Sequence, residues 1–179
     1  MGETPEIPFE VDAVVDWFFD NSDLIDDDNL AIALMRVGRN SGPHLLMALH
    51  LEGMLTSEQL ARAVASAWSA CEYPDGCLDY AEWEGLFDAA GYTVDGVPAE
   101  RPMENLRLYR GAVPERCSGW SWTDNIEIAR KYASGHFYRE VGKVYVADVP
   151  PSALRARNTG RSEDEYVVNT HALTITVAE

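Results

Sequence analysis

The 179-residue chain is predicted to be α+β, a helical N-terminal unit followed by a small split β-structure. Three observations point that way. Apolar residues recur at helical spacing through roughly the first hundred positions. From Leu106 onward they fall instead into short alternating or β-branched runs bounded by glycine and proline. Charge divides at the same place: residues 1–100 carry 20 acids and 3 bases, and residues 101–179 carry 10 acids and 11 bases. That asymmetry marks two parts, taken here as an acidic helical unit over residues 1–100 and a second domain over residues 103–179.

In the first part, Val11, Val14, Val15, Phe18 and Phe19 form one apolar helical face. Leu30 to Val37 is apolar nearly all round and predicts a buried helix closed near Gly38. Gly42-Pro43 opens a helix carrying Leu45, Leu46 and Leu49, with Pro43 suited to its first turn. Thr56 and Gln59 have capping-box spacing ahead of Leu60, Val64, Ala67 and Trp68. Tyr73-Pro74-Asp75-Gly76 reads as a turn, and Trp83, Leu86, Phe87 and Ala90 as a last amphipathic helix. Four or five short helices follow from this, with Trp17, Trp68 and Trp83 filling the core. Gly96, Pro98 and Pro102 mark the link to the second part.

Composition narrows the function classes. A content of 46% hydrophobic and 25% charged residues is that of a soluble globular protein, long enough to bury a core. No apolar run of membrane-spanning length and no basic-then-apolar leader is present, so neither a membrane partner nor a signal peptide is expected, and the cytoplasm is the expected location. The acidic first part would repel phosphate, which argues against a nucleic-acid partner. Cys71, Cys77 and Cys117 lack paired ligand spacing and read as free thiols in a reducing compartment, while His44 and His50 would not share a helix face. No metal is expected.

The second part carries three pieces with chemical content. Leu106-Arg107-Leu108-Tyr109-Arg110-Gly111 alternates as a strand. Its end pairs an arginine, whose planar fork suits phosphate, with a glycine that lets backbone approach a ligand. Gly119-Trp120-Ser121-Trp122-Thr123-Asp124 places two hydroxyls between tryptophans just before a helix, which Asp124 and Glu127 would cap and whose buried face would be Ile126, Ala129 and Ala133. Gly135-His136-Phe137-Tyr138 is an aromatic loop, Val144 to Val149 a strand stopped by Pro150-Pro151, and Arg155 to Ser162 a loop. Glu163-Asp164-Glu165 then meets the strand-like Tyr166-Val167-Val168, and a last strand runs from Ala172 to Val177. If Glu165 begins a strand, alternation puts Glu163 and Glu165 on one side, a costly pair of like charges unless a cationic group binds there. An isolated Glu-x-Glu is more often two solvated carboxylates.

Tyr-Arg-Gly, then Ser-Trp-Thr, then Glu-x-Glu with a hydrophobic strand, in that order, resembles the Arg–Ser–Glu class of mono-ADP-ribosyltransferases. The resemblance runs from Leu106 to the C-terminus; where the family usually has Ser-Thr-Ser, this chain has Ser121-Trp122-Thr123. It implies a β-structure of ADP-ribosyltransferase type, NAD as co-substrate, and transfer of ADP-ribose to an arginine on a protein acceptor. Glu165 would hold the ribose and stabilise its developing charge, and Glu163 would bind and activate the acceptor. Arg110, beside Tyr109, would hold a phosphate or ribose of NAD, and Gly111 would offer backbone bonds to the carboxamide. Ser121 would bind the ribose or orient Glu165, Trp122 and Thr123 would line the pocket, and Phe137 or Tyr138 would stack on nicotinamide. Two alternatives stay open: an NAD glycohydrolase with water as acceptor, and an inactive acidic interaction module.

Overall fold

A computed structural model describes residues 6–22, 25–71, 73–135, 140–160 and 164–178. The chain divides into two compact units, Met1–Ala90 and Gly91–Glu179. No described helix is long and apolar enough to cross a membrane.

Among the described residues the first unit holds five α-helices: α1 (Val11–Asp20), α2 (Asp27–Val37), α3 (Gly42–Leu51), α4 (Ser57–Ala70) and α5 (Tyr80–Ala90). Helix α3 packs against each of the other four. It can do so because Leu45, Leu46 and Leu49 are completely buried and Pro43 sits in its first turn, where no intrahelical N–H is lost. Truncating such a leucine to alanine costs roughly 2–5 kcal/mol. The capping box of α4 forms as the sequence predicts: the Gln59 N–H donates to Thr56 Oγ1 at 3.2 Å, and the Thr56 N–H to Gln59 Oε1 at 3.0 Å. A second box starts α5, with the Glu82 N–H donating to Asp79 Oδ1 and the Asp79 N–H to Glu82 Oε2, both at 2.8 Å. Trp68 and Trp83 meet edge to face with centroids 5.0 Å apart, and the Trp83 indole donates to the Pro74 carbonyl at 2.9 Å.

Two helices differ from expectation. In α1 the buried set is Val14, Trp17 and Phe18, while Phe19 is 55% exposed; the helix rotates so that tryptophan, the larger apolar group, faces inward. Helix α2 is not buried all round. Leu30 and Ala33 are buried and Leu34 and Val37 half-buried, a stripe at i, i+3, i+4 and i+7, leaving Ile32 and Met35 outward.

Among the described residues the second unit contains α6 (Ile126–Ala133) and eight strands: β1 (Thr93–Val94), β2 (Val97–Pro98), β3 (Leu106–Ala112), β4 (Ser121–Thr123), β5 (Lys143–Val149), β6 (Leu154–Asn158), β7 (Glu165–Val168) and β8 (Thr176–Val177). The α+β class holds. The strands form one mixed sheet, in the order β2-β1-β6-β7-β4-β3-β5-β8, rather than a split structure. The β1–β6 pair is parallel and every other pair antiparallel.

Two stretches read as link or loop are strands here. The expected link at Gly96 and Pro98 is the β1–β2 hairpin, turned at Asp95 (φ 51°) and Gly96 (φ 76°), the paired positive angles of a tight Asp-Gly hairpin turn. Arg155 to Asn158, placed in a loop, belongs to β6, where Arg155 is 9% exposed and donates to the Ser152 carbonyl at 2.9 Å. Conversely, only Thr176–Val177 of the predicted last strand pairs.

One face of the sheet buries Leu108, Trp122, Tyr145, Ala147, Val149, Tyr166 and Val168 as a core with Tyr92 and Leu154. The other receives α6, whose Ala129 and Ala133 pack with Val144 and Tyr109. The cap of α6 lies one residue later than predicted. Asn125 accepts from the Glu127 N–H at 3.0 Å, while Asp124 accepts from the Tyr166 hydroxyl at 3.3 Å.

Candidate functional site

Three adjacent central strands, β7, β4 and β3, carry the three pieces singled out in the sequence. Glu165 pairs with Thr123, and Thr123 with Tyr109. On the far side Glu165 pairs with Asn158 of β6. Directly paired residues share a face, so Asn158, Glu165, Thr123 and Tyr109 form one row across four strands, neighbours separated by about 5 Å. Ser121, two residues from Thr123 and opposite Val167, lies on the same face.

The Glu165 carboxylate is half-buried and accepts from the Asn158 amide at 3.2 Å. Thr123 is buried, and its hydroxyl accepts from the Asn125 N–H at 3.2 Å, which ties it to the turn entering α6. The sequence reading missed Asn158 because it stood in an apparent loop; only the β6–β7 register reveals it.

Arg110 stands apart from this row. It follows Tyr109 in β3 and pairs with Tyr145 of the apolar core, so the pleat puts it on the opposite face from Glu165. Its guanidinium donates to the Ser121 carbonyl at 2.6 Å and to the Arg116 carbonyl at 3.1 Å, clasping the segment that joins β3 to β4. Gly119 makes room for it: a Cβ there would stand 2.8 Å from the guanidinium carbon. Trp122 is 2% exposed in the core, and its indole donates to the Gly119 carbonyl at 2.8 Å. Arg110, Gly119 and Trp122 together fix the backbone that presents Ser121.

Gly111 is the seat of α6. A Cβ on it would lie 2.6 Å from the Ala133 nitrogen and 2.9 Å from Tyr132 Cβ, and closer still to the Ala129 carbonyl oxygen. Its missing side chain is spent on helix–strand contact. Glu163 and Phe137 lie outside the described residues. Asp164 has φ 41°, so the extended geometry on which the Glu163–Glu165 alternation depends begins only at Glu165.

Two polar clusters flank the row. Asp95 accepts from the Thr159 N–H at 2.7 Å and from its hydroxyl at 2.6 Å, and these bonds hold the Asp95 carboxyl below its ordinary pKa. On the core face the Arg157 guanidinium lies 5.1 Å from the Tyr166 ring centroid and pairs with Asp164 at 3.4 Å. Burial, with the Asp124 carboxylate as a second cause, pushes the Tyr166 phenol up to about 12. Among the described residues no cluster of histidine, cysteine or carboxylate side chains could hold a metal ion.

No known family model, curated protein or solved structure matches the chain.

Proposed function

We propose that the second unit cleaves NAD and transfers its ADP-ribose to an arginine on a protein acceptor, as a mono-ADP-ribosyltransferase. The observation that carries the reading is the register placing Glu165, Thr123 and Tyr109 in one row across β7, β4 and β3, with Ser121 on the same face. Residues more than fifty positions apart in sequence thereby come within two strand spacings of each other.

Breaking the bond between nicotinamide and ribose builds positive charge on the sugar. A fixed carboxylate beside that carbon stabilises the charge without having to reorganise, and it can also accept from a ribose hydroxyl. Glu165 takes this role, oriented by the Asn158 amide. Ser121 offers a hydroxyl to the ribose from the neighbouring strand. Arg110 acts in this scheme as a positioning residue, through its bond to the Ser121 carbonyl. Glu163 receives the acceptor guanidinium, which a carboxylate pairs bidentately, and Gly111 offers backbone to the carboxamide. Both assignments come from the motif resemblance.

A second reading, a binding module without chemistry, is favoured by one observation: Arg110 and Gly111 are both used by the fold itself. Measuring NAD binding and NAD consumption side by side separates the two. The transferase reading predicts that Glu165→Gln retains NAD binding and loses at least about two orders of magnitude in turnover. Binding with no turnover by the wild type supports the module.

A further inference from the structure

We propose that Cys71 and Cys77 are a dithiol oxidation site, closing to an intramolecular disulfide by exchange with a small disulfide such as oxidised glutathione. The two sulfurs are 3.3 Å apart, so closure to about 2.05 Å needs a movement of little more than an ångström. The local fold produces this approach. Cys71 ends α4, and the 3-10 turn Pro74–Gly76 folds the chain back so that the Cys77 N–H meets the Pro74 carbonyl at 3.0 Å.

The two thiols are unequal. Cys71 is buried and donates to the Arg39 carbonyl at 3.3 Å, whereas Cys77 is half-buried and donates to the Cys71 sulfur. Burial first, and Cys77 second, push the Cys71 thiol up to about 12. Cys77 is the sulfur that an outside disulfide can reach, so the first attack belongs to it. Its sulfur bonds to one sulfur of oxidised glutathione, the glutathione S–S bond breaks, and one glutathione leaves as a thiol with the Cys77 proton. Cys71 then attacks the Cys77 sulfur and expels the second glutathione, which takes up the Cys71 proton. The protein pair loses two electrons and two protons, and the glutathione disulfide gains them.

The full chain is incubated in glutathione buffers of increasing oxidising strength, quenched with an alkylating agent at successive times and mapped by mass. The expected result is an adduct on Cys77 that appears first and decays into a Cys71–Cys77 link. Cys71→Ser stops at the Cys77 adduct, Cys77→Ser leaves position 71 unmodified, and Cys117→Ser changes nothing. A wild-type Cys77 adduct that never closes, links through Cys117 or between chains, or no oxidation in the most oxidising buffer would overturn the proposal. The wild-type map alone decides this if a serine variant does not fold.

Discussion

Replacing Gly111 by alanine tests how much of the site residue set belongs to the fold. The added Cβ would meet the Ala133 nitrogen at 2.6 Å and Tyr132 Cβ at 2.9 Å, against an ordinary contact of 3.4–4 Å. The obstacles are mostly helix backbone rather than the ends of flexible side chains, so α6 must move off β3 by about an ångström. That movement loosens Ala129 and Ala133 from Val144 and strains the bond from the Gly142 N–H to the Ala133 carbonyl. Overpacking costs typically about 1–3 kcal/mol where neighbours can adjust. With backbone in the way, the upper end, about 3 kcal/mol, is expected, roughly two orders of magnitude in the folding equilibrium. Gly160→Ala is the control: nothing among the described residues lies within 4 Å of its added Cβ, and the change should stay within about 0.5 kcal/mol. Urea unfolding of both variants, comparing midpoints at equal slope, gives the answer. A Gly111→Ala midpoint equal to that of Gly160→Ala would refute the packing argument.

Other expectations follow from the same geometry. Thr56→Ala removes the hydroxyl that caps α4 and should cost about 1 kcal/mol in the same unfolding assay, with most of the loss recovered in Thr56→Ser. The folded Asp95 carboxyl lies below its ordinary pKa, so it adds stability above about pH 4 that fades as pH falls through the folded value. Asp95→Asn should therefore flatten the acid limb of a stability–pH profile. On the transferase proposal, Asn158→Ala should lower NAD turnover by about tenfold while NAD binding changes little, because it removes the amide that orients Glu165. Competition binding and turnover measured on one preparation check this.

Much of the fold is legible from local signals. The Thr56–Gln59 box, the leucines of α3 and the alternation in Leu106–Gly111 each depend on neighbours within one turn or one strand, and each stands where the sequence puts it. What escaped depends on pairing. Arg155 and Arg157 made β6 look like a loop, since charged side chains are rare in interior strands; the strand is betrayed only by its ladder with β7. The two-residue strands β1 and β2 are too short for a periodic signal, although Asp95-Gly96 is a hairpin dipeptide. The site shows the same division. Motif order located β3, β4 and the start of β7, but whether Arg110 and Glu165 share a face is set by strand register, which no local pattern encodes.

The most direct test of the proposed chemistry is incubation of the purified chain with NAD labelled on its adenine half and a whole-cell lysate, beside Glu165→Gln. The transferase account predicts label on a macromolecule with the wild type and at least about a hundredfold less with the variant. NAD left intact by the wild type, or label transferred equally by Glu165→Gln, would contradict it.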